Sequence, residues 1–320
     1  MKILLTTCSY QDTPGPHHEL MEAQGWEVVR ERGPLSEARM LELAEQQFDA
    51  FLCGDDAITC TVLEKCAPNL KVISKYGIGL DKIDLPVTKE MKIPVLFTPG
   101  VNHDTVAEHT MLLLLAITKN LVPSVNATKA GKWTRLTGYE VLGKRIGLIG
   151  LGRIGQEVAK RAHAFGMEIH GFGNYWPDDI AEEYRITRHH DLNGLFEASE
   201  IISPHTKLTP DSHHCVNAAR LNLMPDNSWL VNTGRGELIS QPDVIAALDS
   251  GKLAGYATDV LDEEPPPADH PLLHHEKVIV TPHIGSRTYE SVPRQAMKSL
   301  TNLIHALSGE GECNCANGVV

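Results

Sequence analysis

The run Arg145-Ile-Gly-Leu-Ile-Gly-Leu-Gly-Arg-Ile-Gly155 constrains the fold of this chain more than any other feature. Gly150, Gly152 and Gly155 form G-x-G-x-x-G, a spacing that recurs by chance and gains its meaning from what flanks it. Residues 146–149 are a short apolar run that reads as a buried strand. Beyond Gly155, Val158, Ala159 and Ala162 recur at helical spacing towards Phe165, with Gly166 placed to end the helix. Strand, glycine turn and helix N-terminus together build a dinucleotide pyrophosphate site. The first glycine allows the turn, the second lets backbone approach the phosphates, and the third packs helix on strand. The N–H groups and positive dipole end of the helix then face the anion.

The rest of the chain supplies a frame for that loop. Apolar strand candidates at 2–6, 27–30, 50–53, 72–75 and 95–96 alternate with helical stretches such as 35–47 and 61–67, which is enough for one doubly wound domain. A second series follows at 145–149, 168–172, 201–203, 229–232, 256–258 and 278–280, close to the six strands of a full dinucleotide-binding sheet. The expected fold class is therefore α/β, with two doubly wound parallel-sheet domains. A strongly helical stretch between them, 102–120, is apolar on too many sides for a surface helix and must be buried. A last helix, from Tyr289 through Met297 to Leu307, is free to return to the first domain. The expected domains are residues 1–98 with 290–320, and residues 99–289.

At 320 residues the chain has room for two cores. Its net charge of -12 argues against a nucleic-acid surface. Its longest apolar helical run, 111–117, is too short to span a membrane, and no secretory leader is evident at Met1-Lys-Ile-Leu-Leu. Seven scattered cysteines make no disulfide framework, so a cytoplasmic setting is expected. Cys313 and Cys315 lie in a polar tail that reads as a disordered end rather than a metal site, and no metal is expected.

Hydride transfer between a hydroxyl and a carbonyl needs an acid/base, a cation for the oxygens, and a group that keeps the acid/base correctly protonated. The second half of the chain offers one of each at a strand end: Arg235 in Asn-Thr-Gly-Arg-Gly, Glu264 in Asp259-Val-Leu-Asp-Glu-Glu-Pro, and His283 in Val278-Ile-Val-Thr-Pro-His-Ile-Gly. Open α/β sheets place ligands at such ends.

Residues 147–166, 231–236, 257–265 and 281–285 resemble the D-isomer-specific 2-hydroxyacid dehydrogenases. Pro99-Gly-Val-Asn102, Val106-Ala-Glu-His-Thr110 and Gly77-Ile-Gly-Leu-Asp81 fit the same pattern. The resemblance implies a flavodoxin-like substrate-binding domain, a Rossmann domain for NAD(H) or NADP(H), and a homodimer around the 102–120 helix. It implies that His283 is the acid/base, and that Glu264 orients its imidazole and stabilises its charged form. Arg235 grips the substrate carboxylate, with help from backbone N–H groups at Ile78 and Gly79. Cofactor contacts fall to Arg153, Ile154, His205, Lys207 and Thr233, with Asp259 at the nicotinamide carboxamide.

One position departs from the family. Gly173 stands where NAD-preferring members carry an acidic residue, so NADPH is as open as NADH, although no arginine follows to take a 2′-phosphate. Lys75 and Arg135 resemble positions that 3-phosphoglycerate dehydrogenases use for a distal phosphate, which predicts a second anion on the substrate. A glyoxylate or hydroxypyruvate reductase is the alternative, as is a dinucleotide-sensing corepressor-like protein or a relative acting on formate or phosphite.

Overall fold

The computed structural model describes residues 1–319. The chain forms two compact units, Met1–Asn102 with Arg287–Val320, and His103–Ser286.

In the first unit five parallel strands, β1 (Lys2–Leu5), β2 (Glu27–Arg30), β3 (Ala50–Cys53), β4 (Val72–Lys75) and β5 (Val95–Leu96), lie in the order β2-β1-β3-β4-β5. That is the flavodoxin-like order. Helices on both faces explain why its central strands are mostly apolar and buried. Successive residues feed opposite cores. Leu4, Phe51 and Ile73 join the helices Glu37–Ala44 and Cys60–Cys66 on one face. Ile3, Leu5, Leu52 and Val72 meet the helix Ser291–Ser308 on the other, through Val292, Ala296, Leu300 and Leu303. The last helix does return to this sheet.

The polar C-terminal segment does not behave as its composition suggests. Phe97 N–H donates to Asn314 O (3.0 Å) and Ala316 N–H to Val95 O (2.7 Å), so the segment runs antiparallel along β5. Asn317 anchors it, as buried amide donor to Ile93 O (2.8 Å) and acceptor from Val95 N–H (3.2 Å). The segment is ordered because it covers an otherwise unpaired strand edge.

The second unit holds seven parallel strands, β6 (Arg145–Ile149), β7 (Glu168–Phe172), β8 (Thr187–Arg188), β9 (Ile201–Pro204), β10 (Ser228–Asn232), β11 (Leu253–Thr258) and β12 (Val278–Val280). Their order is β12-β11-β10-β9-β6-β7-β8. Chain order reverses between β6 and β9, which sets the ligand crevice outside the end of β6. The sheet has one strand more than the sequence suggests. β8 is two exposed residues paired to His170 and Gly171, with no apolar run to announce it. The helix His103–Thr118 buries Ala107, Met111, Leu113 and Leu114 against the helix Arg153–Ala164 and the sheet. Leu112 stays 54% exposed.

Candidate active site

The glycine loop leaves β6 at its C-terminal end and enters the helix Arg153–Ala164. Gly150 has φ +98°, and a Cβ there would stand 2.8 Å from His205 O; one on Gly155 would stand 2.1 Å from Gly150 O. The fold itself demands both glycines. Around Gly152 a Cβ would meet no protein atom within 4 Å. Nothing in the chain's own packing excludes a side chain at Gly152, so room for an approaching ligand is the remaining reason for glycine. Gly152 is also the N-cap, and no side chain caps the helix, which leaves its first amides for an anion. The residues present thus fit a dinucleotide pyrophosphate. Arg153 is exposed and Ile154 half-buried at this end.

Gly173 follows β7 directly, with its Cβ position 3.3 Å from Tyr175 O and 3.5 Å from Gly150 Cα. The glycine loop stands at ordinary contact distance, so its packing alone does not demand a glycine at 173. Arg188, unremarked in the sequence, stacks its guanidinium on Trp176 (4.9 Å) at the neighbouring strand. Lys207 is exposed. His205 hydrogen-bonds Ser203 Oγ through Nε2 (3.0 Å), and desolvation lowers its pKa to about 4, so the ring is neutral at neutral pH.

Arg235, Glu264 and His283 lie on the loops that follow β10, β11 and β12, three adjacent parallel strands. Asn232, buried at the end of β10, folds the first loop. Its amide donates to Arg235 O (2.8 Å) and its oxygen accepts Gly234 N–H (3.0 Å). Arg235 Nη1 donates to Gly234 O (2.8 Å), which holds the guanidinium against its own loop. Gly236 lets this loop press on the next: a Cβ there would lie 2.0 Å from Leu261 C. The Glu264 loop is in turn closed by Leu261 N–H donating to Glu264 Oε1 (2.9 Å).

The second carboxylate oxygen, Glu264 Oε2, lies 2.7 Å from His283 Nδ1. An Nδ1–H donating to Glu264 leaves Nε2 for proton exchange with a ligand. The ring is exposed and its carboxylate half-buried. His283 itself has φ +52°, a left-handed conformation uncommon for a residue with a side chain.

Asp259 directly follows β11 (Leu253–Thr258). It is buried, and its carboxylate serves the His283 loop, accepting Thr281 Oγ1–H (2.6 Å), Ile284 N–H (2.9 Å) and Gly285 N–H (2.7 Å). These bonds and the neighbouring His109 hold its pKa below the ordinary value despite burial. Thr233, also buried, shares a 2.8 Å hydrogen bond with Thr110 of the helix His103–Thr118. Asn232, Thr281 and His109 lie in segments that the sequence singles out, but the sequence gives none of them a role in the site.

In the first unit, Gly77-Ile-Gly79 forms a loop after β4, pinned by Gly77 N–H to Thr98 Oγ1 (2.9 Å), with Ile78 exposed. Lys75 is only 2% exposed, and its ammonium is bound by Asp55 Oδ1 (2.6 Å) and Gly54 O. Its charge is therefore already matched inside the protein. Arg135, in the second unit, lies in an exposed irregular segment. Among the described residues no group of three His, Cys, Asp or Glu side chains could hold a metal ion.

Residues 111–285 match the family described as D-isomer specific 2-hydroxyacid dehydrogenase, NAD binding domain. The chain is 41% identical over 271 residues to a glyoxylate reductase of Thermofilum pendens, covering 82% of this chain and 79% of that one. It is 37% identical over 319 residues to a D-3-phosphoglycerate dehydrogenase of Methanocaldococcus jannaschii; the match takes in 99% of this chain but 59% of that longer protein. Among solved structures, the TT0316 protein of Thermus thermophilus superposes with a TM-score of 0.87 at 32% identity, over 99% of this chain and 100% of that one. Glycine loop, strand-end Arg, Glu and His, and these likenesses converge: the chain belongs to the D-isomer-specific 2-hydroxyacid dehydrogenases, NAD(P)-dependent oxidoreductases of 2-hydroxy acids and their 2-keto acids.

Proposed function

We propose that this enzyme reduces a short 2-keto acid of the glyoxylate or hydroxypyruvate type, with His283 as acid/base, Glu264 as its orienting carboxylate and Arg235 as the carboxylate grip. The 2.7 Å hydrogen bond between His283 Nδ1 and Glu264 Oε2 carries this reading. The bound dinucleotide supplies or accepts the hydride. In reduction, His283 Nε2 gives a proton to the carbonyl oxygen as that oxygen becomes a hydroxyl. Arg235 binds the carboxylate and draws charge from the carbonyl.

A small substrate is favoured over a phosphorylated one because Lys75, one of the two cations assigned to a distal phosphate, is neutralised by Asp55. The 41% identity to a glyoxylate reductase points the same way. NADPH is accepted beside NADH in this proposal, since Gly173 brings no carboxylate to repel a 2′-phosphate. The seven free cysteines support a reducing compartment, and an apolar surface on the second unit supports a homodimer.

The test is a panel of glyoxylate, hydroxypyruvate, pyruvate and 3-phosphohydroxypyruvate with each cofactor, following loss of the reduced nicotinamide. His283→Asn and Glu264→Gln should lower kcat about a hundredfold or more. Turnover of the phosphorylated acid alone would overturn the substrate assignment, and an unimpaired His283→Asn the catalytic one.

A further inference from the structure

The left-handed turn at His283 is held mainly by one residue, with His283 N–H shared with Thr281 O (3.0 Å). Three consecutive amides end on Asp259: His283 N–H on its carbonyl oxygen (2.9 Å), Ile284 N–H on Oδ1 (2.9 Å) and Gly285 N–H on Oδ2 (2.7 Å). Gly285 is glycine because a Cβ would stand 2.9 Å from Asp259 Oδ2. A buried carboxylate can organise a loop this way only if its own orientation is fixed and its charge is answered.

The Thr281 hydroxyl and the two amides answer the charge, and the orientation leads to His109. Thr281 Oγ1 spends its hydrogen on Asp259 Oδ1 (2.6 Å), so it accepts from His109 Nε2 (3.0 Å), which must therefore carry a hydrogen. The same Nε2 lies 3.3 Å from Asp259 Oδ1. His109 sits within the helix His103–Thr118, whose neighbouring turns are packed into the core, so it is a fixed point for the chain His109, Thr281, Asp259, His283.

We propose that His109 is a positioning residue for the acid/base. Through Thr281 and Asp259 it sets the turn that presents His283 to Glu264, while touching neither substrate nor cofactor. This rests on the assignment of His283 given above, so the test includes a readout that does not depend on turnover.

In the full-length protein, His109→Ala should speed hydrogen exchange at the amides of Ile284 and Gly285 at least several-fold, with exchange along β6 unchanged. It should lower kcat about tenfold to a hundredfold, the cost of a small misplacement of a catalytic group, with KM for the keto acid within about twofold. His109→Gln, whose amide can restore the N–H, should recover most of both. Thr281→Val, nearly isosteric, should reproduce the His109→Ala pattern and covers the case in which His109→Ala folds poorly. Unchanged exchange at 284–285, or a Gln variant no better than Ala, would overturn the positioning role. If the exchange pattern holds but wild-type turnover is absent, the functional reading fails and the loop assignment stands.

Discussion

A methyl group on Gly155 would lie 2.1 Å from Gly150 O, whereas one on Gly152 would meet no protein atom within 4 Å. The two alanine variants should therefore separate folding from binding. Gly155→Ala forces backbone apart in a packed turn and should cost about 1–3 kcal/mol of stability. Gly152→Ala should leave stability within about 0.5 kcal/mol yet weaken dinucleotide binding at least about tenfold, or ~1.4 kcal/mol. Thermal melts and a calorimetric titration with NADH and NADPH check both halves. His205 supplies a pH-dependent case. Its folded pKa, about 4, lies below the ordinary 6.5, so the unfolded chain binds the extra proton as pH falls. Stability is then full above about pH 6.5 and is lost as pH drops towards 4, by at most roughly 3 kcal/mol. His205→Gln should flatten the melting temperature over that window, and an equally steep acid loss in the variant would exclude His205 as its source.

At the scale of elements, the C-terminal segment makes the sharpest claim. Asn317 satisfies Val95 N–H, Ile93 O and Thr88 Oγ1 in a buried position, so Asn317→Ala leaves groups at the β5 edge without partners. The expected loss is about 2–3 kcal/mol, read as a lower denaturation midpoint with an unchanged denaturant slope. This segment also shows where sequence reading stops. Most strands are legible because parallel strands covered on both faces are apolar runs whose ends are marked by glycine, proline or polar residues. β8 has no such run, and the tail owes its order to backbone pairing with β5, which leaves no trace in composition. The active site divides in the same way. Arg235, Glu264 and His283 could be placed at strand ends from local spacing. The service of Asp259 to the His283 loop, and the arrival of His109 beside it from 150 residues earlier, depend on tertiary contacts that no local pattern encodes.

For the whole molecule, the feature left unexplained by a single copy is the surface of residues 112–142. Leu112, Leu121, Val122, Val125, Leu136, Tyr139 and Leu142 are all exposed there, and Trp133 is 80% exposed. So many large apolar side chains exposed within one segment mark a candidate contact surface. Two copies meeting through it would bury those side chains, against repulsion between chains of net charge -12 each. Leu121 and Val125 are four residues apart on the helix Leu121–Lys129 and so share a face. The wild-type protein is expected to scatter light as twice the 35.1 kDa chain, and to hold that mass more firmly as salt screens the repulsion. If two copies meet here, replacing both residues by glutamate puts charge into that contact and should return the mass to that of one chain, with the circular dichroism unchanged because neither side chain is buried within the unit. A wild type that is monomeric at micromolar concentration, or a double variant that stays dimeric, would place the contact elsewhere and leave this apolar surface to a different partner.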